Sequence, residues 1–328
     1  MGINWRNIFG LCAFILFLVA CTMQDDRDIC CYNIRLDYRY CQNGNMNALK
    51  SNISRLRHFL FDADSVLVEV AETEGNACNK FERILPAGDY TIVSFANLNG
   101  ISRLDSFEIG YTKMDEMRLY VDNDDAAGYQ SECERLFYTY RDFTVYRSGT
   151  ARYIVDMSHA YNELTVNVKW KGGAVPPNKH YVMELTDVPG DYAFSVSNHI
   201  CTKTSQNSGD LPQSTHNEIV YTIPGQCGRF VKYRKEARFR PNGNLQGIFV
   251  SYRYTNRNIP SFCLYGDDGP LMKQINLSKL FYAMGWELDR NVAQVFDITL
   301  TIDGDKVYAT PTVVNDWEDG GVIGAGTK

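Results

Sequence analysis

Alternation of apolar and polar residues dominates this sequence and predicts short β-strands. From residue 32 to residue 40 the apolar side chains Tyr32, Ile34, Leu36, Tyr38 and Tyr40 share one face, and the side chains between them are polar or charged. A period of two is typical of a strand that buries one face and exposes the other. We therefore predict a half-buried strand close to the start of the mature chain.

The same pattern returns in the second half of the chain. Apolar residues alternate with polar ones over Leu164–Trp170 and again over Phe296–Ile302. The second run leads into Asp303-Gly304, a pair that favours a two-residue hairpin turn. We predict that the chain reverses there and returns as a strand over Lys306–Ala309.

Few segments have a helical pattern. Leu277–Trp286 fits a short helix, whereas Asn47–Phe61 fits a helical turn or a strand equally well. The basic and aromatic stretch Lys232–Arg240 could bind a polyanion or a glycan, but a strand with one solvated face explains it better. Many short strands separated by turns indicate β-sandwiches. Domain size favours a boundary near residue 160, which gives domains at 31–159 and 160–328.

The N-terminus has the pattern of a secretion signal. Arg6 is the only charged residue among the first 20, and an apolar run covers Ile8–Ala20. That run is shorter than the roughly 20 residues that a membrane-spanning helix needs. It ends in Leu18-Val19-Ala20-Cys21, which resembles the bacterial lipobox at all four positions. We therefore predict a signal peptide at 1–20, a lipid on Cys21, and a tether at 21–30.

An acidic pair follows the predicted lipid site. Asp25 and Asp26 resemble the surface-export signal of Bacteroides-type lipoproteins, although a solvated linker would suit these residues too. The predicted location is the outer membrane, with the lipid as anchor and the chain at the cell surface. An ordinary cleaved signal, or a membrane anchor that happens to contain a cysteine, is the alternative to the lipobox.

Charge and motifs argue against several function classes. Removal of residues 1–20 takes the formal net charge from −6 to −7, whereas nucleic-acid binding needs a basic face. The five histidines form no H-E-x-x-H pair, and there is no G-x-S-x-G elbow. Asp122–Asp125 lacks the glycine that a calcium loop needs at its sixth position. We expect neither an enzyme nor a cofactor, metal, nucleic-acid or small-molecule substrate site.

Cysteine use fits an exported protein. Apart from Cys12 in the signal and Cys21, eight cysteines remain, an even number that suggests disulfides. Cys201 and Cys227 flank a polar, loop-like segment and could close it as a disulfide. The other pairings stay open, since eight cysteines allow 105 of them.

Several local motifs follow one another along the chain: Cys31–Tyr40, Phe59–Asp62, Leu85–Tyr90 with Asn97, Leu136–Tyr138, Asn162–Val166 and Asp316-Trp317. In this order they resemble the fimbrial anchoring lipoproteins of Bacteroidetes. One departure is Thr139, which stands where that family typically has Gly after Leu-Phe-Tyr.

The resemblance implies an all-β fold with two transthyretin-like Greek-key β-sandwich domains. It also implies that the protein anchors a fimbria to the outer membrane through strand exchange with a pilin subunit, because unpaired strand edges are templates for another chain. The alternatives are a fimbrial stalk or tip subunit, or a surface glycan-binding lipoprotein. An anchor should keep its N-terminal strand, whereas a stalk subunit should lose that strand by proteolysis before it polymerises.

Overall fold

The structure is a computed structural model that describes residues 32–41, 47–121, 128–130, 132–173, 175, 180–203 and 218–311. Only the backbone is described for residues 198–203, 218–220 and 311. The fold is almost entirely β, as the alternating pattern predicts. Among the described residues, no helix is long and apolar enough to span a membrane.

Most of the described strands before residue 160 build two sheets. One has the order β10-β1-β4 and the other β11-β9-β5-β2-β3. Their bounds are β1 Ile34–Arg39, β2 Arg55–Phe61, β3 Leu67–Glu74, β4 Lys80–Arg83, β5 Gly88–Ala96, β6 Ser102–Leu104, β7 Arg118–Val121, β8 Tyr129–Gln130, β9 Phe137–Val145, β10 Ala151–Asp156 and β11 Ser158–His159.

The strands after residue 160 build two larger sheets and a ribbon. The bounds are β12 Tyr161–Trp170, β13 Val182–Pro189, β14 Asp191–Ala193, β15 Val196–Lys203, β16 Glu218–Pro224, β17 Phe230–Glu236, β18 Arg238–Phe239, β19 Leu245–Tyr252, β20 Ser261–Gly266, β21 Gly269–Pro270, β22 Ile275–Asn276, β23 Val295–Asp303 and β24 Lys306–Pro311. The sheet orders are β18-β19-β12-β23-β24 and β21-β20-β13-β17-β8, and β15 pairs with β16.

Within the described residues, two short helices interrupt this β structure. Helix α1 covers Leu49–Asn52 and helix α2 covers Ser278–Ala283, and single 3₁₀ turns lie at Gly75–Asn79 and Met114–Glu116. The ambiguous segment Asn47–Phe61 therefore holds both structures, first the helix and then strand β2. The helix predicted within Leu277–Trp286 is confirmed.

The hairpin predicted at Asp303-Gly304 is also confirmed. Asp303 pairs with Lys306, and Gly304 takes the positive φ of 57° that this tight turn requires. The basic stretch in β17 is a strand with one wet face, since Lys232 and Arg234 are exposed while Val231 and Tyr233 are buried.

The parts of the chain before and after residue 160 share a core, and strands of one part are hydrogen-bonded to strands of the other. Strand β7 pairs with β14, and β8 pairs with β17. The Phe194 ring packs on Phe59 and Phe95 at centroid distances of 4.8 and 5.3 Å. The boundary near residue 160 stays a prediction, as does the transthyretin-like Greek-key topology.

Candidate functional site

The N-terminal strand β1 is the most distinctive candidate site, because it fills a slot between two strands that are distant in sequence. It runs parallel to β10, with Ile34 opposite Ala151, and antiparallel to β4, with Ile34 opposite Arg83. A strand paired on both sides holds its backbone donors and acceptors in two ladders. We call β1 and its two neighbours the β1 slot.

The inner face of β1 closes the core of the first half. Ile34, Leu36 and Tyr40 are fully buried and Tyr38 is nearly so. They belong to one apolar cluster that also includes residues of β2, β5 and β9. Without β1, this cluster would be open to solvent along the whole slot.

Tyr38 adds a buried polar contact to the slot. Its hydroxyl lies 3.1 Å from His58 Nδ1 and 3.1 Å from Ser94 Oγ. Burial, reinforced by the Arg83 charge, lowers the pKa of His58 to about 3. His58 is therefore a neutral ring that hydrogen-bonds the strand, and it carries no charge above acidic pH.

Tyr40 makes an equivalent contact at the end of the strand. Its hydroxyl lies 2.5 Å from His159 Nε2, and the Gln294 backbone N–H donates to His159 Nδ1 at 3.4 Å. Burial, together with the Arg253 charge, lowers the pKa of His159 to about 3. This contact connects the N-terminal strand to the junction between the two halves.

Ion pairs cover the outer face of the slot. Arg35 contacts Asp37 at 2.8 Å and Glu82 on β4 at 3.0 Å. From β10, Arg152 also pairs with Asp37, and Asp156 pairs with Arg39. The partly exposed pairs that Arg35 and Arg152 make stabilise by about 0–1 kcal/mol each, so the apolar inner face contributes more than they do.

A buried arginine holds the junction beside the slot. Arg253 is fully buried, and its guanidinium donates to the carbonyl oxygens of His159 at 3.2 Å, Val292 at 3.0 Å and Leu288 at 2.7 Å, and to that of Asn291. Burial lowers its pKa to about 10. The carbonyl dipoles compensate a charge that would otherwise be costly to bury.

Strand β24 presents a second candidate surface, a sheet edge. It pairs with β23, and none of the other described strands pairs with its second side. The pair Asp303–Lys306 closes the two-residue turn, so these two residues form a hydrogen-bonded pair. In an antiparallel ladder, hydrogen-bonded pairs alternate with non-hydrogen-bonded pairs. The backbone N–H and C=O groups of Val307 and Ala309 therefore point away from β23. Consistently, the Ile302 carbonyl, opposite Val307, accepts from Lys171 N on the far side.

The predicted site residues near the N-terminus lie outside the described part of the chain. These are Cys21, Asp25 and Asp26. Cys227 is an exposed free thiol, but the side chain of Cys201 is not described, so their disulfide stays a prediction.

The other described cysteines carry buried free thiols, which sequence counting did not anticipate. They are Cys41, Cys78, Cys133 and Cys263. Within the described residues, no group of three or more side chains could hold a metal ion.

Comparison with known protein families identifies the family of this chain. A family model for the fimbrillin-A associated anchor proteins Mfa1 and Mfa2 matches residues 27–234, more than half of the 328-residue chain. The chain belongs to this anchor family. The match begins before β1 and includes the whole β1 slot.

Solved structures share the fold of this anchor-family member. The fimbrial anchor protein Mfa2 from Porphyromonas gingivalis superposes with a TM-score of 0.61 at 13% identity, over 82% of this chain and 89% of that chain. A Bacteroides thetaiotaomicron protein, provisionally described as polysaccharide-binding, gives 0.63 at 11% identity, over 87% and 99%.

A third neighbour, provisionally described as an adhesin of Bacteroides ovatus, gives a TM-score of 0.59 at 13% identity, over 85% of this chain and 95% of that chain. At these identities the likeness establishes the fold alone. A search among curated protein sequences finds no match.

Proposed function

We propose that this protein anchors a fimbria to the outer membrane as a lipoprotein and contacts a pilin subunit by strand addition. Membership of the anchor family supports a fimbria-associated role at the cell surface. The observation that carries the proposal is strand β1, which occupies its own slot with its inner face fully buried. A subunit that keeps this strand after processing accepts no neighbour in the slot and suits the fixed end of a polymer.

The lipid end of the proposed anchor is Cys21. An extended chain covers at most about 3.3–3.6 Å per residue, so the stretch from Cys21 to Ile34 reaches no further than about 47 Å. Two or three acyl chains on one cysteine hold a protein firmly, since each buried methylene contributes about 0.8 kcal/mol. Asp25 and Asp26 would direct the chain to the outer face of the membrane.

Strand β1 also suits the transmission of load. It begins soon after the tether and is hydrogen-bonded on both sides, to β10 and to β4. Tension between the membrane and the polymer would act on two backbone ladders and on the buried contacts of Tyr38 and Tyr40. A strand at a sheet edge would offer only one ladder.

The proposed acceptor of a pilin strand is the open edge of β24. The edge strand β3 carries Glu69, Glu72 and Glu74, and such charges discourage strand addition. In β24, Lys306 is the only charged residue, and Val307 and Ala309 present backbone groups to the open side. An added strand would gain main-chain hydrogen bonds there, as in other cases of β-augmentation.

One pair of variants at Ala309 tests the strand contact. Ala309→Pro removes an outward N–H without touching the β23 ladder, whereas Ala309→Val keeps that N–H. We expect pilin co-purification from membrane extracts to fall sharply with the proline variant and to persist with valine. Equal co-purification by both variants, at equal thermal stability, would reject β24 as the acceptor.

The lipid contact has its own test. Cys21→Ala is expected to move the protein from the membrane fraction to the soluble fraction, with the fold unchanged by circular dichroism. Protease treatment of intact cells should digest the wild-type chain. A variant that stays in the membrane fraction, or a wild-type chain that resists the protease, contradicts the proposed anchoring or its surface location.

A further inference from the structure

A cavity beside helix α2 combines aromatic rings with charged and amide groups. It has a volume of about 700 Å³ and lies far along the chain from both β1 and the tether. Pockets of about 300–1,000 Å³ with a few placed polar groups are typical of small-ligand sites. The residues that matter for its chemistry are Asn256, Lys279, Tyr282, Trp286, Glu287 and Arg290.

The two aromatic rings differ in how they are held. Trp286 is half-buried, stacks on Phe296 at 4.5 Å and meets the Phe281 ring edge-on at 4.9 Å. Its position is therefore fixed by the core. The Tyr282 side chain is 88% exposed at the wall of the same cavity.

Such an exposed ring beside a fixed one offers two apolar faces to a ligand. The face of an aromatic ring carries partial negative charge, so it attracts the slightly positive C–H groups of another molecule. A pyranose ring presents C–H groups on its face and hydroxyl groups around its edge. It can pack on Tyr282 or Trp286 while its hydroxyls reach the polar groups of the rim.

The polar rim supplies both donors and acceptors. Asn256 Oδ1 accepts from the Leu288 backbone N–H at 3.0 Å, which fixes the side chain and leaves Nδ2 to donate. The Glu287 carboxylate pairs with Arg290 at 3.0 Å. Hydroxyl groups of a sugar both donate and accept, so they match a mixed rim of this kind.

The charge of the cavity distinguishes acidic sugars from neutral ones. Glu287 is matched by Arg290, and within the described part of the chain Lys279 has no ion-pair partner, so the cavity has one cation in excess. Lys279 and Tyr282 are three residues apart on α2 and therefore share a face of the helix. A carboxylate on a sugar packed against Tyr282 would lie within reach of this ammonium group.

We propose that this cavity binds pyranose units of an acidic glycan, with Tyr282 and Trp286 as stacking surfaces and Lys279 as the carboxylate-binding group. The role is separate from fimbrial anchoring, and neither depends on the other. The chain contributes binding only, and no bond in the glycan is made or broken.

Calorimetry with the full-length protein in detergent tests the proposal, with oligogalacturonate as the probe and its methyl-esterified form as the matched neutral probe. We expect the acid form to bind at least tenfold more tightly than the ester. Tyr282→Ala should weaken acid-form binding at least tenfold. Lys279→Gln should remove the preference for the acid form. Neither variant should change the melting temperature, because both side chains are exposed.

Two control variants lie outside the cavity. Tyr111→Ala removes a tyrosine that is 75% exposed in the first half, and Lys273→Gln removes an exposed lysine that does not line the cavity. Both should bind like the wild type. No binding of either probe, or binding that Tyr282→Ala and Lys279→Gln leave unchanged, would overturn the proposal without affecting the anchoring function.

Discussion

Removal of strand β1 is the perturbation with the largest expected effect on this protein. The strand and the residue after it bury four large side chains, Ile34, Leu36, Tyr38 and Tyr40. Burial of one such side chain stabilises by about 1.5–3 kcal/mol, so together they contribute about 6–12 kcal/mol as an upper figure. Domains have net stabilities of about 5–15 kcal/mol. A chain that begins at Cys41 should therefore be unstable unless another strand enters the slot.

A synthetic peptide of residues 32–40 provides the complementary measurement. Added to the truncated chain, it should bind, raise the melting temperature and restore the far-ultraviolet circular dichroism. A peptide with Leu36→Asp should have none of these effects, because it would place a charge in the apolar slot. In the full chain, Leu36→Ala should cost about 2–5 kcal/mol, whereas Arg35→Ala on the outer face should cost about 1 kcal/mol or less. A truncated chain that melts at the wild-type temperature without peptide would refute this reasoning.

Three further predictions concern the contacts around the slot. Burial depresses the folded-state pKa of His58 and of His159 to about 3, below the ordinary 6.5, so stability is fully present above pH 6.5 and is lost as pH falls towards 3. Between pH 6.5 and 3 the free energy of unfolding should fall by up to about 1.4 kcal/mol per pH unit for each histidine. The variant in which His58 and His159 are both replaced by glutamine should show a smaller slope, and an unchanged slope would contradict the assignment of the pH dependence to these histidines. Arg253→Met should destabilise by about 3–5 kcal/mol in denaturant unfolding, since it leaves buried carbonyls unsatisfied, while the exposed control Arg257→Met should change little. Asn97→Ala should lower the melting temperature more than Asn97→Gly, because the residue has a φ of 61° that glycine adopts without strain. Equal losses in the two variants would show that only the hydrogen bonds of the Asn97 side chain matter.

The local alternation of apolar and polar residues was enough to predict individual strands. It could not predict which strands pair with one another in a sheet. The alternation of residues 32–40 and the Asp303-Gly304 turn are confirmed as strand β1 and as the β23–β24 hairpin. The parallel pairing of Ile34 with Ala151 depends on the path of the whole chain, which no local period encodes. Sequence therefore predicted a strand and not the slot that it fills.

The buried polar groups were missed for a related reason. Arg253 and His159 lie in segments with no distinctive spacing, and their burial depends on backbone carbonyls from elsewhere in the chain. The cavity at Tyr282 and Trp286 is likewise assembled from a helix and the loops around it. The tyrosine and tryptophan content allowed a glycan-binding alternative, but sequence could not place those side chains on one surface.

The state of the mature N-terminus tests the central claim most directly. The protein should be extracted from native outer membranes together with its pilin, and its N-terminal peptides identified by mass spectrometry. An anchor is expected to begin at a lipid-modified Cys21 and to retain a peptide that includes Ile34–Arg39. A mature chain that begins beyond β1, with the slot filled by a strand from another subunit, would contradict the anchor function and identify a stalk subunit instead.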